Sequence, residues 1–169
     1  MELLRALRLN KNPGESRITF VGARGKTTAL FQLARELTPP VIIASTTHFG
    51  AWQVPLADRH IIAASPEQIG EIGTGVTLVS GPVENERTTP VNSDVLLHLR
   101  NLARGKNIPI LLECDGARGL PIKAPAEHEP PIPDFVESVV VVAGLSGLGK
   151  PITDEFVFRE NSSSKSASQ

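Results

Sequence analysis

Apolar residues fall along this chain in short solid runs, separated by stretches where they recur at helical spacing. Runs bounded by turn residues at 17–21, 41–45, 60–64, 76–80, 108–112 and 138–143 predict buried strands. Between the first two, residues 26–37 predict a helix that Pro39-Pro40 stops. Ser93 is placed to cap a second helix with Val95, Leu96, Leu99 and Leu102 on one face, ending at Gly105-Lys106-Asn107. Ser65 and Pro66 read as the start of another helix. Leu3, Leu4 and Leu7 suit a short amphipathic one near the beginning, and Pro13-Gly14-Glu15 turns the chain into the first strand. Residues 81–92, rich in Pro, Asn, Thr and charge, predict a loop. Strands alternating with helices predict an α/β fold, a three-layer α/β/α domain around a mostly parallel sheet. The proline-rich segment 119–134 is long for a connection in a compact domain, which marks it as functional.

Composition narrows the picture. A chain of 169 residues suits one such domain, predicted over 1–159. The polar, low-complexity stretch 160–169 is expected to be a disordered tail. Lys plus Arg number 17 against 18 Asp plus Glu, a net charge of −1, so nothing draws the chain to nucleic acid or an anionic membrane. Tyrosine is absent and aromatics are scarce, which argues against a base-stacking platform. Cys114, the single cysteine, excludes an internal disulfide and a multi-cysteine zinc site. The longest apolar run, 139–145, is too short to span a membrane, and Arg5, Arg8 and Lys11 interrupt any leader core. A soluble, cytoplasmic protein is the expectation.

The strongest chemical signal is Ile18-Thr19-Phe20-Val21-Gly22-Ala23-Arg24-Gly25-Lys26-Thr27-Thr28: apolar strand, glycine-bounded turn, helix. This is the layout of a phosphate-binding P-loop (Walker A). Gly22 and Gly25 allow a tight turn whose N–H groups converge on phosphate oxygens. Lys26 brings a charge to the β- and γ-phosphates, and the Thr27 hydroxyl is suited to Mg²⁺. The helix that follows points its positive end at the same anion. Residues 22–28, with Lys123 from the later segment, are the candidate nucleotide-binding set: Gly22, Ala23, Arg24, Gly25, Lys26, Thr27 and Thr28. The longer form of the signature has another glycine where this chain has Phe20. The shortened loop resembles that of the Mur-type amino-acid ligases.

Further candidates sit at strand ends on the same predicted edge. Ile110-Leu111-Leu112-Glu113-Cys114-Asp115 is an apolar strand ending in acids. Alternation puts Glu113 and Asp115 on one side and Cys114 on the other. One acid would join the Mg²⁺ shell and the other would orient a water or act as base; the plainer reading is a solvated pair. Ser45-Thr46-Thr47-His48 offers hydroxyls to metal or phosphate, with Thr46 the metal candidate, and a histidine to orient a substrate; turn chemistry explains it equally well. Arg118 would neutralise transferred charge and Lys123 would bind an acidic ligand, with surface ion pairs the competing role. His128-Glu129 would suit a catalytic pair or metal ligands, though such a pair in a proline-rich loop is more often structural. His60 and His98 receive no role, and Cys114 beside acids is not expected to be reactive.

Taken together these segments resemble the YqeC-type selenium-dependent molybdenum hydroxylase accessory proteins, also called selenium cofactor biosynthesis proteins. The likeness runs over roughly residues 4–158. It rests on the loop at 20–27, on Ser45-Thr46-Thr47-His48, on 139–145 with Gly149-Lys150-Pro151, and above all on 113–130. The resemblance implies a P-loop NTPase-like fold and a part in maturing molybdenum enzymes that carry labile selenium. Arg24 departs from the small residue usual in that loop, and Phe158 stands where a histidine is more usual. The chain also ends where family members continue for another strand and helix, the look of a C-terminal truncation. The resemblance thereby implies a missing base-recognition element and an exposed sheet edge.

The functional expectation is a Mg²⁺-dependent accessory protein that binds, and hydrolyses, ATP or GTP during selenium/molybdenum cofactor maturation. Its partners would be the nucleotide and a molybdenum hydroxylase or its cofactor, with neither nucleic acid nor membrane involved. Thr27, Thr46 and Glu113 would hold the metal, and Glu113, Asp115 and Arg118 would carry catalysis. The alternatives are a small-molecule kinase or a fragment of a Mur-like ATP-dependent ligase, and a non-catalytic nucleotide-binding module.

Overall fold

The computed structural model describes residues 2–9, 13–116, 119–124 and 130–159. In chain order the elements are α1 (Leu3–Ala6), β1 (Arg17–Gly22), α2 (Lys26–Glu36), β2 (Val41–Ser45), β3 (Arg59–Ile62), β4 (Val76–Ser80), β5 (Val83–Glu84), β6 (Arg87–Thr88), α3 (Ser93–Lys106), β7 (Ile110–Glu113), β8 (Ile122–Ala124), β9 (Ser138–Val142) and β10 (Val157–Arg159). Six strands form one sheet in the order β3-β4-β2-β7-β1-β9, and every neighbouring pair is parallel. The fold is therefore α/β around a parallel sheet of six strands.

The solid apolar runs explain that sheet, because its central strands are covered on both faces. Alternate residues sort into two cores. On one face Ile18, Phe20, Ile43, Leu78 and Leu111 pack with Leu30, Phe31, Leu33 and Ala34 of α2. On the other, Ile42, Ala44, Val79, Ile110 and Leu112 pack with Val95, Leu99 and Ala103 of α3. β9 is an outer strand, paired with β1 on one side only, and it exposes Val139 and Val141.

Several boundaries differ from those predicted. Asn92, not Ser93, caps α3: its Oδ1 accepts the Val95 N–H at 2.9 Å, and Ser93 is the first helical residue. The helix expected after Ser65 is a single 3₁₀ turn, Pro66–Gln68, closed by the Gln68 side chain on the Ser65 N–H. The predicted loop 81–92 holds the β5–β6 hairpin, turned at Asn85 and Glu86 with φ of 47° and 61°, the positive values a two-residue hairpin turn needs. Segment 119–134 contains β8, which pairs in parallel with β10 in a small separate sheet. The strand predicted at 108–112 is shifted so that Glu113 belongs to it, opposite Phe20 of β1 and Ser45 of β2. Residues 160–169 lie outside the described residues.

Candidate functional site

The C-terminal ends of β1, β7 and β2 lie side by side, so the turns that follow them meet at one edge of the sheet. At Gly22 the chain leaves β1 with φ of +100°, and a Cβ there would stand 2.5 Å from the Val142 carbonyl oxygen. Only glycine lets β1 and β9 approach this closely. Gly25, with φ of +107°, then turns the chain directly into α2.

Hydrogen bonds divide this loop in two. The Gly22 N–H donates to both Asp115 carboxylate oxygens at 3.0 Å, Ala23 N–H to Val142 O at 2.7 Å, and Arg24 N–H to Leu120 O at 3.0 Å. These three amides, predicted to face phosphate, instead fasten the loop to Asp115 after β7, to β9 and to the β8 segment. The N–H groups of Gly25, Lys26, Thr27 and Thr28 make no bond to the protein among the described residues. They form the uncapped first turn of α2, where backbone donors and helix dipole act together on an anion.

Lys26 is buried and folded back over the loop, donating to Gly22 O at 2.8 Å and Ala23 O at 3.1 Å. Its ammonium is 3.3 Å from Asp115 Oδ1, and the other oxygen of that carboxylate is 3.3 Å from Lys123 Nζ. Asp115 is thus a buried hub that holds two lysines and one loop amide. Lys123 also donates to Gly116 O at 3.0 Å, and its ammonium lies 5.6 Å from the centre of the Phe158 ring. Lys123 and Lys26 therefore meet on one carboxylate.

Beside this hub the Thr27 hydroxyl donates to Glu113 Oε2 at 2.8 Å. Burial pushes the Glu113 carboxyl up to about 7, against the pull of Lys26 and the Thr27 hydrogen bond, with Asp115 adding to the rise. The paired hydroxyl and carboxylate are hard oxygen donors of the kind Mg²⁺ takes from proteins in small number, and a cation would offset the cost of burying this carboxylate. Thr46 follows β2, its N–H on Glu113 O at 3.1 Å, but its shielded hydroxyl has no hydrogen-bond partner among the described residues. Thr47, not Thr46, lines the cleft in front of the loop. Burial pushes the Cys114 thiol up, which keeps it un-ionised. Arg118, Glu127, His128 and Glu129 lie outside the described residues.

In front of the loop opens a cleft of about 1210 Å³, lined by residues 23–28, Glu113 and Phe158 and, on its far wall, by His48, Trp52 and the β5–β6 hairpin. Of that wall only His48 was anticipated; Trp52 and the hairpin were not. Its sequence signal was Val83-Glu84-Asn85-Glu86-Arg87-Thr88, two extended dipeptides around a turn that tolerates positive φ.

The YqeC protein family profile matches residues 18–161, a span that includes the loop, both acids and the far wall. The chain belongs to the YqeC family. It is 36% identical over 154 residues to the Uncharacterized protein YqeC of Escherichia coli (strain K12), covering 84% of this chain and 57% of that relative. The chain thus spans little more than half the length of this YqeC relative. No solved structure matches it. Arg24 at the loop and Phe158 beside Lys123 both line the cleft. Among the described residues no helix is long and apolar enough to cross a membrane.

Proposed function

We propose that this chain binds ATP or GTP with Mg²⁺ at the loop after β1 and hydrolyses it, as an accessory protein in maturing the selenium/molybdenum cofactor of molybdenum hydroxylases. One observation carries the nucleotide half of this reading. Four amides at residues 25–28, without a hydrogen-bond partner among the described residues, adjoin a buried lysine and a hydroxyl–carboxylate pair. A polyphosphate chain is the ligand that uses all three at once. The maturation half rests on family membership alone.

The division of work follows from the contacts. The amides and Lys26 bind phosphate oxygens and take up charge that grows there. Asp115, fixed by Gly22 N–H and two lysines, holds Lys26 in position. Thr27 and Glu113 would hold Mg²⁺, which when bound supplies charge neutralisation between phosphates. Calorimetric titration with ATP and GTP, each with and without Mg²⁺, tests the reading. Saturable binding that strengthens with Mg²⁺ and weakens at least about 100-fold in Lys26→Ala is expected. If neither nucleotide binds, or if Lys26→Ala binds as well as wild type, the reading is wrong. Transfer to a small molecule instead of water is a second reading, favoured by the size of the cleft.

A further inference from the structure

We propose that the far wall of the cleft is a second ligand site, selective for a planar heteroaromatic anion, with Trp52 stacking on its ring and Arg87 pairing with its acid group. The placement of this site relative to the nucleotide rests on the phosphate-binding reading above. The ligand class rests on the wall itself.

Trp52 is the chain's single tryptophan and is 77% exposed, on a face of the cleft instead of in either core. A large aromatic left in water inside a concave site is the usual mark of a contact surface. Its support is built, not incidental. Gly50 carries the indole: a Cβ there would stand 2.5 Å from Trp52 Nε1 and 2.9 Å from Cδ1. Gly50 N–H in turn donates to Gln53 Oε1 at 2.8 Å. The hairpin is fastened to the same segment. Ala51 N–H donates to Glu86 O at 2.8 Å, Thr88 N–H to Phe49 O at 2.9 Å, and Gly50 bridges to Arg87. Phe49, fully buried, anchors the whole. His48 Nδ1 lies 2.8 Å from Thr88 O, a group that only accepts, so Nδ1 donates this hydrogen bond.

Charge sets the ligand's sign. Arg24 and Arg87 line the cleft and have no ion-pair partner among the described residues. Lys26 is already paired with Asp115, so these two guanidinium groups are the lining cations left without an ion-pair partner among the described residues. A stacking indole beside an unpaired guanidinium suits a flat ring bearing an acid. Space allows it: about 1210 Å³ exceeds the roughly 300–1,000 Å³ of a single small-molecule pocket. Position separates it from the nucleoside. Thr27 and Glu113, the residues that would hold Mg²⁺, lie on the β7 side of the loop, and the wall follows β2 and β4, further out in that direction. The nucleoside end would lead the other way, toward β9 and Phe158.

The test is calorimetry on the full chain, nucleotide-free and loaded with a non-hydrolysable ATP analogue and Mg²⁺. Orotate and nicotinate are the probes; uracil (planar, neutral) and succinate (anionic, not planar) are the controls. At least one probe should bind saturably and about tenfold more tightly than either control. Trp52→Ala, Arg87→Gln and the crowding change Gly50→Ala should each weaken it about tenfold, with Trp52→Phe largely restored. ATP affinity should be unchanged in all four. The proposal is overturned if neither acid outbinds the controls, or if binding survives Trp52→Ala and Arg87→Gln. It is equally overturned if ATP affinity falls with acid affinity, because Trp52 would then stack on the nucleotide base. Lys26→Ala separates the two readings: it should lose ATP and keep the acid.

Discussion

Glu113 sits where stability and chemistry oppose each other. Its carboxyl is pushed up to about 7 by burial, from an ordinary value of 4.5. The folded apoprotein therefore holds a proton that the unfolded chain has released, and stability falls as pH rises from about 4.5 to about 7. The penalty above that window approaches about 3 kcal/mol. Glu113→Gln should flatten this fall, leaving the apoprotein more stable than wild type at pH 8 and little changed at pH 4.5. Urea unfolding at the two pH values measures it, and a fall of the same size in the variant would assign the titration elsewhere. The same change should cut Mg²⁺-dependent phosphate release more than nucleotide affinity. Asp115 behaves differently because it is the hub. Asp115→Ala removes the buried carboxylate that two ammonium groups share and should cost about 3–5 kcal/mol. Lys26→Ala leaves Asp115 with Lys123 and the Gly22 N–H and should cost less. The reverse order in urea unfolding would mean that Lys26 organises the cluster.

Helix α3 shows what the sequence could and could not tell at the level of elements. Its apolar stripe was legible because Val95 and Leu99 recur at helical spacing and are fully buried. Its start was not, since Asn92 and Ser93 are both good caps and only the Asn92 bond to Val95 N–H decides between them. Asn92→Ala should cost about 1 kcal/mol in chemical denaturation while Ser93→Ala costs a few tenths at most; equal losses would place the cap elsewhere. The central strands and the passage from β1 through a glycine turn into α2 were readable for a similar reason, being local patterns. β8 and β10 were not. Each is three residues long, and neither is a strand until Ile122 meets Val157 across a long stretch of chain. The acids illustrate the same limit. Their place beside the loop followed from strand ends, but the contact of Asp115 with Gly22 N–H and two lysines is tertiary, and no spacing reveals it.

Among the described residues the main sheet is parallel, with one long helix on each face and the candidate chemistry along a single edge. Of its two outer strands, β9 is the more exposed: Val141 is 74% accessible, and Leu145 and Leu148 follow it into solvent. One row of its backbone N–H and C=O groups bonds β1, and the opposite row has no strand against it among the described residues. Such a rim is a template on which another extended chain can lay itself down. Self-association that grows with concentration is the expected behaviour, and Val141→Lys should suppress it in sedimentation velocity without altering the fold. Identical sedimentation of the two proteins across the concentration range would mean that the rim is inert. Colloidal behaviour then depends on one strand of five residues, and a single charged side chain there would serve as its gatekeeper.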